Sequence, residues 1–165
     1  MGKGDEKLSH ISAEGQAHMV DVSAKKVSQR RAVAEAWIDV GPEIAAKLAE
    51  SGGLAKGNVL ETARLAGIYA AKQTPQLIPM CHPLLLDDVE VKTELAGRRV
   101  RVVAAVCCEG KTGVEMEAMT AASVAALTVY DMVKSAGKAV EIGPIRLLEK
   151  SGGKSGHWTR EDDSA

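Results

Sequence analysis

Hydrophobic and polar positions alternate most cleanly between Asp88 and Val106. Val89, Val91, Thr93 and Leu95 interleave with Asp88, Glu90, Lys92 and Glu94, the period of a strand with one wet face. Ala96-Gly97-Arg98 turns the chain. Val100, Val102, Ala104 and Val106 then resume the alternation, so the two runs predict an antiparallel hairpin with its apolar positions on one side. A looser alternation runs from Ala17 to Val40, with Met19, Asp21 and Ser23 set against Val20 and Val22, followed by Val33 and Trp37. It predicts extended structure.

Helical spacing appears in three places. Pro42 after Gly41 suits a first helical turn, Ile44, Ala45 and Leu48 share a face, and Gly52-Gly53 stop a short helix. Asn58 followed by Glu61 resembles a capping box. Behind it Val59, Leu60, Ala63, Ala66, Ala70 and Ala71 form a narrow apolar stripe that ends before Pro75 and should pack closely. The longest predicted helix, Val114 to Ser135, is Ala-rich with no internal Pro or Gly, and Gly137 is placed to cap it. Val140 to Lys150 then reads as a bent or edge strand around Gly143-Pro144, because proline donates no ladder hydrogen bond. The sum is an α+β fold, a sheet backed by helices on one face.

Composition narrows the function. The 165 residues carry 21 basic and 22 acidic side chains, so no global field draws nucleic acid or an anionic membrane. Aromatic content is 2% with no Phe, which leaves almost no platform for stacking single-stranded bases and requires an aliphatic core. Cys81, Cys107 and Cys108 have no CxxC spacing and are odd in number, which favours reduced thiols and a cytoplasmic setting. Neither an apolar leader in residues 1 to 8 nor a membrane-length run is visible. One domain over 1–165 is expected, with 1–7 and 159–165 as frayed polar tails.

Several residues have the chemistry for a site. LIPMCHPL (77 to 84) holds Cys81 and His82 between Pro79 and Pro83, either aiming the His82 imidazole at a ligand or burying it against a backbone carbonyl. Cys81 reads as structural, and His10, His18 and His157 show no ligand spacing, so no metal site is expected. Asp131 and Lys134 share a helical face; they are an ordinary surface pair or, on so apolar a helix, a partly desolvated acid/base pair. Glu115 and Glu117 suit the dipole at the start of that helix. Fourteen residues, ~21 Å of helix, separate Glu117 from Asp131, so one pocket takes both only with a long ligand or a second subunit. SGGKSG (151 to 156), with Lys150 before it and Lys154 within, is an anion loop or a flexible exit loop; Leu148 stands where a P-loop needs Gly. Lys56-Gly57 places a cation before a helix N-terminus. Lys25, Lys26, Arg30 and Arg31 read as a solvated basic face.

Five strings together resemble one family: LSHISAEGQAHMVDVSAK (8 to 25), KGNVLETARLAGIYAAKQT (56 to 74), LIPMCHPL (77 to 84), KTGVEMEAMTAASVAALTVYDMVK (111 to 134) and IGPIRLLEKSGGKSG (142 to 156). In order and nearly end to end, they are similar to MoaC, the molybdenum cofactor biosynthesis family of cyclic pyranopterin monophosphate synthases. The resemblance implies a ferredoxin-like protomer, a hexamer built as a trimer of dimers, and a pocket at the dimer interface. It implies conversion of 3',8-cyclo-7,8-dihydroguanosine 5'-triphosphate to cyclic pyranopterin monophosphate plus pyrophosphate, and a functional link to the upstream radical SAM enzyme. By motif match it makes Lys56, Asp131, Lys134 and Lys150 catalytic, and places Met80, Cys81, His82, Met116 and Glu117 against substrate. No cofactor is implied beyond Mg²⁺ arriving with the triphosphate. Met80, Ser28 and Asn58 depart from the family's commoner Leu, Thr and Asp without removing a reacting group. The alternative is a purine-triphosphate-binding oligomer, a carrier or regulator without turnover.

Overall fold

The computed structural model describes residues 15–51 and 58–161. β1 (Ser28–Asp39) leads through α1 (Gly41–Ser51), α2 (Val59–Lys72) and the short α3 (Thr74–Leu77) to the hairpin β2 (Asp88–Ala96) and β3 (Arg99–Gly110). α4 (Glu115–Val133), β4 (Glu141–Ser151), a 3-10 turn (Gly153–Ser155) and β5 (His157–Thr159) follow. The sheet is antiparallel throughout in the order β2-β3-β1-β4-β5. Without the short β5 this is the split βαβ, or ferredoxin-like, arrangement.

The hairpin follows the alternation: Leu95 pairs with Val100 and Val89 with Val106, around Gly97 at φ +62°. On β1 the inward row Ala32, Ala34, Ala36 and Ile38 is fully buried, opposite Val106, Ala104, Val102 and Val100. A fully buried Val or Ile contributes about 1.5–3 kcal/mol, and these eight side chains are the floor on which the helices lie. Small residues set how close the helices come to each other. α2 buries Ala63, Gly67, Ala70 and Ala71, α4 buries Ala118, Ala121, Ala122 and Ala125, and a Cβ on Gly67 would sit 3.0 Å from the Ala121 carbonyl oxygen and 3.3 Å from the Ala125 Cβ.

The outer face of the sheet closes over itself. Glu35 is 2% exposed and accepts from Arg101 Nε at 2.9 Å and Arg146 Nε at 2.8 Å, while Arg99 and Arg101 lie over the Trp37 ring at 4.6 and 5.5 Å. Burial alone would raise the Glu35 carboxyl. The bonds from Arg146 and Arg101, with a contribution from the Trp37 side chain, outweigh it and hold the group below its usual range.

Four expectations change. The stretch ahead of β1 is irregular, and the strand starts only at Ser28, because among the described residues no partner strand pairs with residues 18–27. α4 ends at Val133, where the Lys134 N–H donates to Tyr130 O; Gly137 follows a further turn without positive φ and caps nothing. Glu61 does not complete a capping box: Asn58 Oδ1 accepts from its N–H at 3.0 Å, but its carboxylate pairs with Arg64. Thr159 and Arg160 are not frayed, since Thr159 pairs with Glu149 and Arg160 N–H donates to Leu148 O at 2.8 Å. β4 is bent as expected, with register shifts opposite Val33/Ala34 and Ala36/Ile38. It is an edge along most of its length, because β5 covers only Glu149 to Ser151. Residues 1–7 and 162–165 of the expected tails lie outside the described residues, as does Gly52-Gly53.

Candidate active site

The candidate residues collect at the two ends of α4. At the first, β1 begins, β3 and β4 end, and α4 starts. Strand parity turns Lys150 inward, opposite Ala32, and its Nζ donates to Glu115 Oε1 at 3.2 Å. The Glu115 carboxylate folds over Gly113, where any Cβ would collide with it, so a glycine before the helix is what lets this pair form. Both partners are about one-third exposed and reachable from solvent. Met116 is exposed in the same turn.

Glu117 departs from the simple dipole reading. It is 3% exposed, and burial drives its carboxyl above the usual range, with its own backbone N–H opposing and the Glu115 charge adding to the rise. Its charge in turn reaches Cys81. Burial first, then Glu117, pushes the Cys81 thiol up, and Cys108 rises for burial first and then Asp87 and Glu117. All three cysteines are free, and neither of these thiols is set up as a nucleophile.

The LIPMCHPL loop is held at both ends. Ile78 N–H donates to Thr74 O at 2.9 Å, Cys81 N–H to Ile78 O at 3.0 Å, and Asp87 N–H to Cys107 O at 2.9 Å. Met80, Cys81 and His82 are each half-buried within it. Beyond the loop a groove of about 450 Å³ runs between Ile68 and Lys72 of α2 and the segment Leu84 to Val89. No candidate catalytic residue lines it.

The other end of α4 carries Asp131 and Lys134, joined at 2.6 Å from Nζ to Oδ1. The expectation of desolvation fails in the single chain, because the two side chains are 61% and 55% exposed on the outer face of the last turn. The bond to Asp131 raises the Lys134 ammonium. The structure therefore groups Lys150, Glu115 and Glu117 at one end, with Cys81 close enough to feel Glu117. Asp131 stands ~21 Å along the helix from Glu117, and Lys134 lies one turn beyond it. Lys56 lies outside the described residues.

One residue of the first cluster escaped the sequence reading. Arg30 was grouped with a solvated basic face, yet it shares the inward parity of Ala32 and Ala34 and pairs across from the buried Cys108. The signal was present: the alternation that buries Ala32 to Ile38, extended one step back, points Arg30 inward.

A sequence model of the MoaC family matches residues 19–153, which takes in all of α1 to α4, β1 to β3, and β4 with Lys150 and Gly152-Gly153. The chain belongs to the MoaC family. MoaC membership places it in molybdenum cofactor biosynthesis, as an enzyme acting on a small GTP-derived molecule. Among the described residues no group of three His, Cys, Asp or Glu side chains is placed to hold a metal ion, and no helix is long and apolar enough to cross a membrane.

Proposed function

We propose that the protein is the cyclic pyranopterin monophosphate synthase of its pathway, a lyase acting on 3',8-cyclo-7,8-dihydroguanosine 5'-triphosphate and releasing pyrophosphate. The observation that carries this is the family match over residues 19–153, within which an exposed Asp131–Lys134 pair at 2.6 Å and a solvent-reachable Lys150 are retained. Opening a purine ring and closing a pyran requires successive proton transfers. Asp131 and Lys134, already sharing a hydrogen bond, alternate as base and acid. Closing a cyclic phosphate as pyrophosphate leaves concentrates negative charge, which Lys150 and Lys56 stabilise. His82, Met80 and Cys81 of the clamped loop, with Met116 and Glu117, orient the substrate.

The ~21 Å between Glu117 and Asp131 supports a pocket shared by two chains, the start of one α4 facing the end of another. A hexamer built as a trimer of dimers satisfies that requirement. The reaction as drawn uses no resident cofactor; Mg²⁺ accompanies the triphosphate. The setting is cytoplasmic, downstream of a radical SAM enzyme that supplies the cyclised nucleotide.

The test is incubation of the purified protein with the cyclised dihydroguanosine triphosphate, following pyrophosphate and the fluorescent oxidised pterin beside Asp131→Ala. Both products from the wild type and neither from the variant are expected. Tight binding without either product would instead make the protein a carrier or regulator and overturn the synthase assignment.

A further inference from the structure

The irregular segment ahead of β1, residues 18–27, is tied down by a lysine that the chemistry above leaves unused. β1 begins where Ser28 pairs with Gly110 at the end of β3, so the chain before it leaves the sheet at the end that holds Glu115 and Lys150. There it folds into a tight turn. Asp21 Oδ1 accepts from the Ser23 N–H at 2.8 Å and from the Ser23 hydroxyl, and the Lys25 N–H donates to Val22 O at 3.0 Å. These bonds close the turn on itself and leave its place on the protein open. Val20 and Val22 are half-buried, while residues 18, 19, 21 and 23–27 are exposed, so apolar contact does little to hold the segment.

Lys111 supplies the link. It stands half-buried in the loop between β3 and α4, four residues before Glu115, and its Nζ donates to Ser23 O at 2.9 Å across 88 residues of sequence. The loop itself is a fixed post: Gly110 O accepts from Arg30 Nε at 3.2 Å, and Gly113 lies under the Glu115 carboxylate that takes Lys150. Charge favours the same contact. The bonds from the Ser23 hydroxyl and N–H hold the Asp21 carboxyl below its usual range, against burial and with help from the Lys111 charge, so the turn offers the ammonium an anion as well as a carbonyl. On a segment with so little apolar contact, one charge-assisted bond weighs heavily in where the turn sits.

We propose that Lys111 is a positioning residue, which holds the Asp21 to Lys25 turn against the start of α4 as a fixed wall of the Lys150 and Glu115 site. Substrate then meets an ordered rim instead of ordering one as it binds. Ordering a loose segment subtracts from affinity and leaves the bond-making steps alone, so loss of the tether acts on KM and not on kcat. The identity of the substrate rests on the proposed reaction; the tether does not.

Hydrogen exchange of the full-length protein, read by mass spectrometry on peptides covering residues 18–27, tests the tether directly. Wild type, Lys111→Met, Lys111→Gln and Lys111→Arg are compared, each with a melting curve and steady-state kinetics on the cyclised nucleotide. Lys111→Met should exchange about tenfold faster in this segment, the loss of one charge-assisted hydrogen bond, with its melting temperature within about 2 °C of wild type. Its KM should rise by about the same factor with kcat unchanged. Lys111→Arg should restore most of both, because a guanidinium keeps the charge and reaches the same carbonyl. If Lys111→Met fails to fold, Lys111→Gln, shorter and uncharged, decides. Unchanged exchange over residues 18–27, faster exchange with KM unmoved, or a fall in kcat at constant KM would overturn the proposal. A wild type that binds the cyclised nucleotide without turnover would overturn the synthase assignment alone, and the dissociation constants of the variants then take the place of KM. A wild type that neither binds it nor turns it over would overturn both.

Discussion

Replacing Glu35 by Gln isolates the buried carboxylate on the outer face of the sheet. Two hydrogen bonds reach it, from Arg101 Nε at 2.9 Å and Arg146 Nε at 2.8 Å, and Arg101 NH2 lies at ion-pair distance, 2.9 Å, from the same oxygen as its Nε. Each bond to a charged group contributes roughly 1.5–3 kcal/mol in a dry setting. The full sum overstates the loss, because Arg101 and Arg146 are 34% and 33% exposed and water recovers part of it, and because Gln keeps one acceptor oxygen. A loss of about 2–3 kcal/mol remains, which in a chain of this size lowers the melting temperature by about 4–12 °C near neutral pH. The pH dependence has a fixed sign. The arginines hold the folded carboxyl below its unfolded value, so the contribution is complete above the ordinary Glu range and lost as pH falls through the depressed value. Melting curves of wild type and Glu35→Gln across that range should show a gap at neutral pH that narrows in acid. A gap under about 1 °C at neutral pH, or one that stays constant into acid, would refute the assignment of Glu35 as a paired, ionised group.

Glu117→Gln has the opposite sign: burial raises the folded carboxyl, so ionised Glu117 costs stability above its raised value, and the variant should melt higher than wild type at pH 8, with the difference vanishing toward acid. Gly67→Val should cost about 1–3 kcal/mol by denaturant titration, since the Ala121 backbone 3.0 Å from the new Cβ cannot yield as a side chain would. Asn58→Ala removes a side-chain acceptor at the start of α2 and should cost about 1 kcal/mol in the same assay. Lys150→Ala should suppress pyrophosphate release while leaving the melting temperature within about 2 °C, because its bond to Glu115 is partly exposed.

What sequence alone could reveal divides along physical lines. The hairpin from Asp88 to Val106 and the helices starting near Pro42, Asn58 and Glu115 were legible because each has one dry side and one wet side, and a period of two or 3.6 reports that directly. Glu35 and Glu117 were not legible. Their burial depends on Arg101, Arg146 and the Cys81 loop arriving from distant parts of the chain, and residue type argued for exposure. Gly137 misled because a glycine after an apolar helix has the composition of a cap whether or not its φ is positive. Of the site, the motif residues and their separation along one helix could be read, but not that Asp131 and Lys134 stand exposed while Lys150 folds back onto Glu115.

That separation has a mechanical consequence. α2 and α4 come close at Gly67, where a Cβ would sit 3.0 Å from the Ala121 carbonyl oxygen and 3.3 Å from the Ala125 Cβ, so the seam there leaves no slack for one helix to slide on the other. α4 is therefore a ruler: it sets the spacing between the Asp131 pair and the Lys150 cluster by its length alone. Any adjustment as a ligand enters and leaves falls to the segments at its ends, the proline-bounded loop at 78–87 and the glycine turn at 152–156.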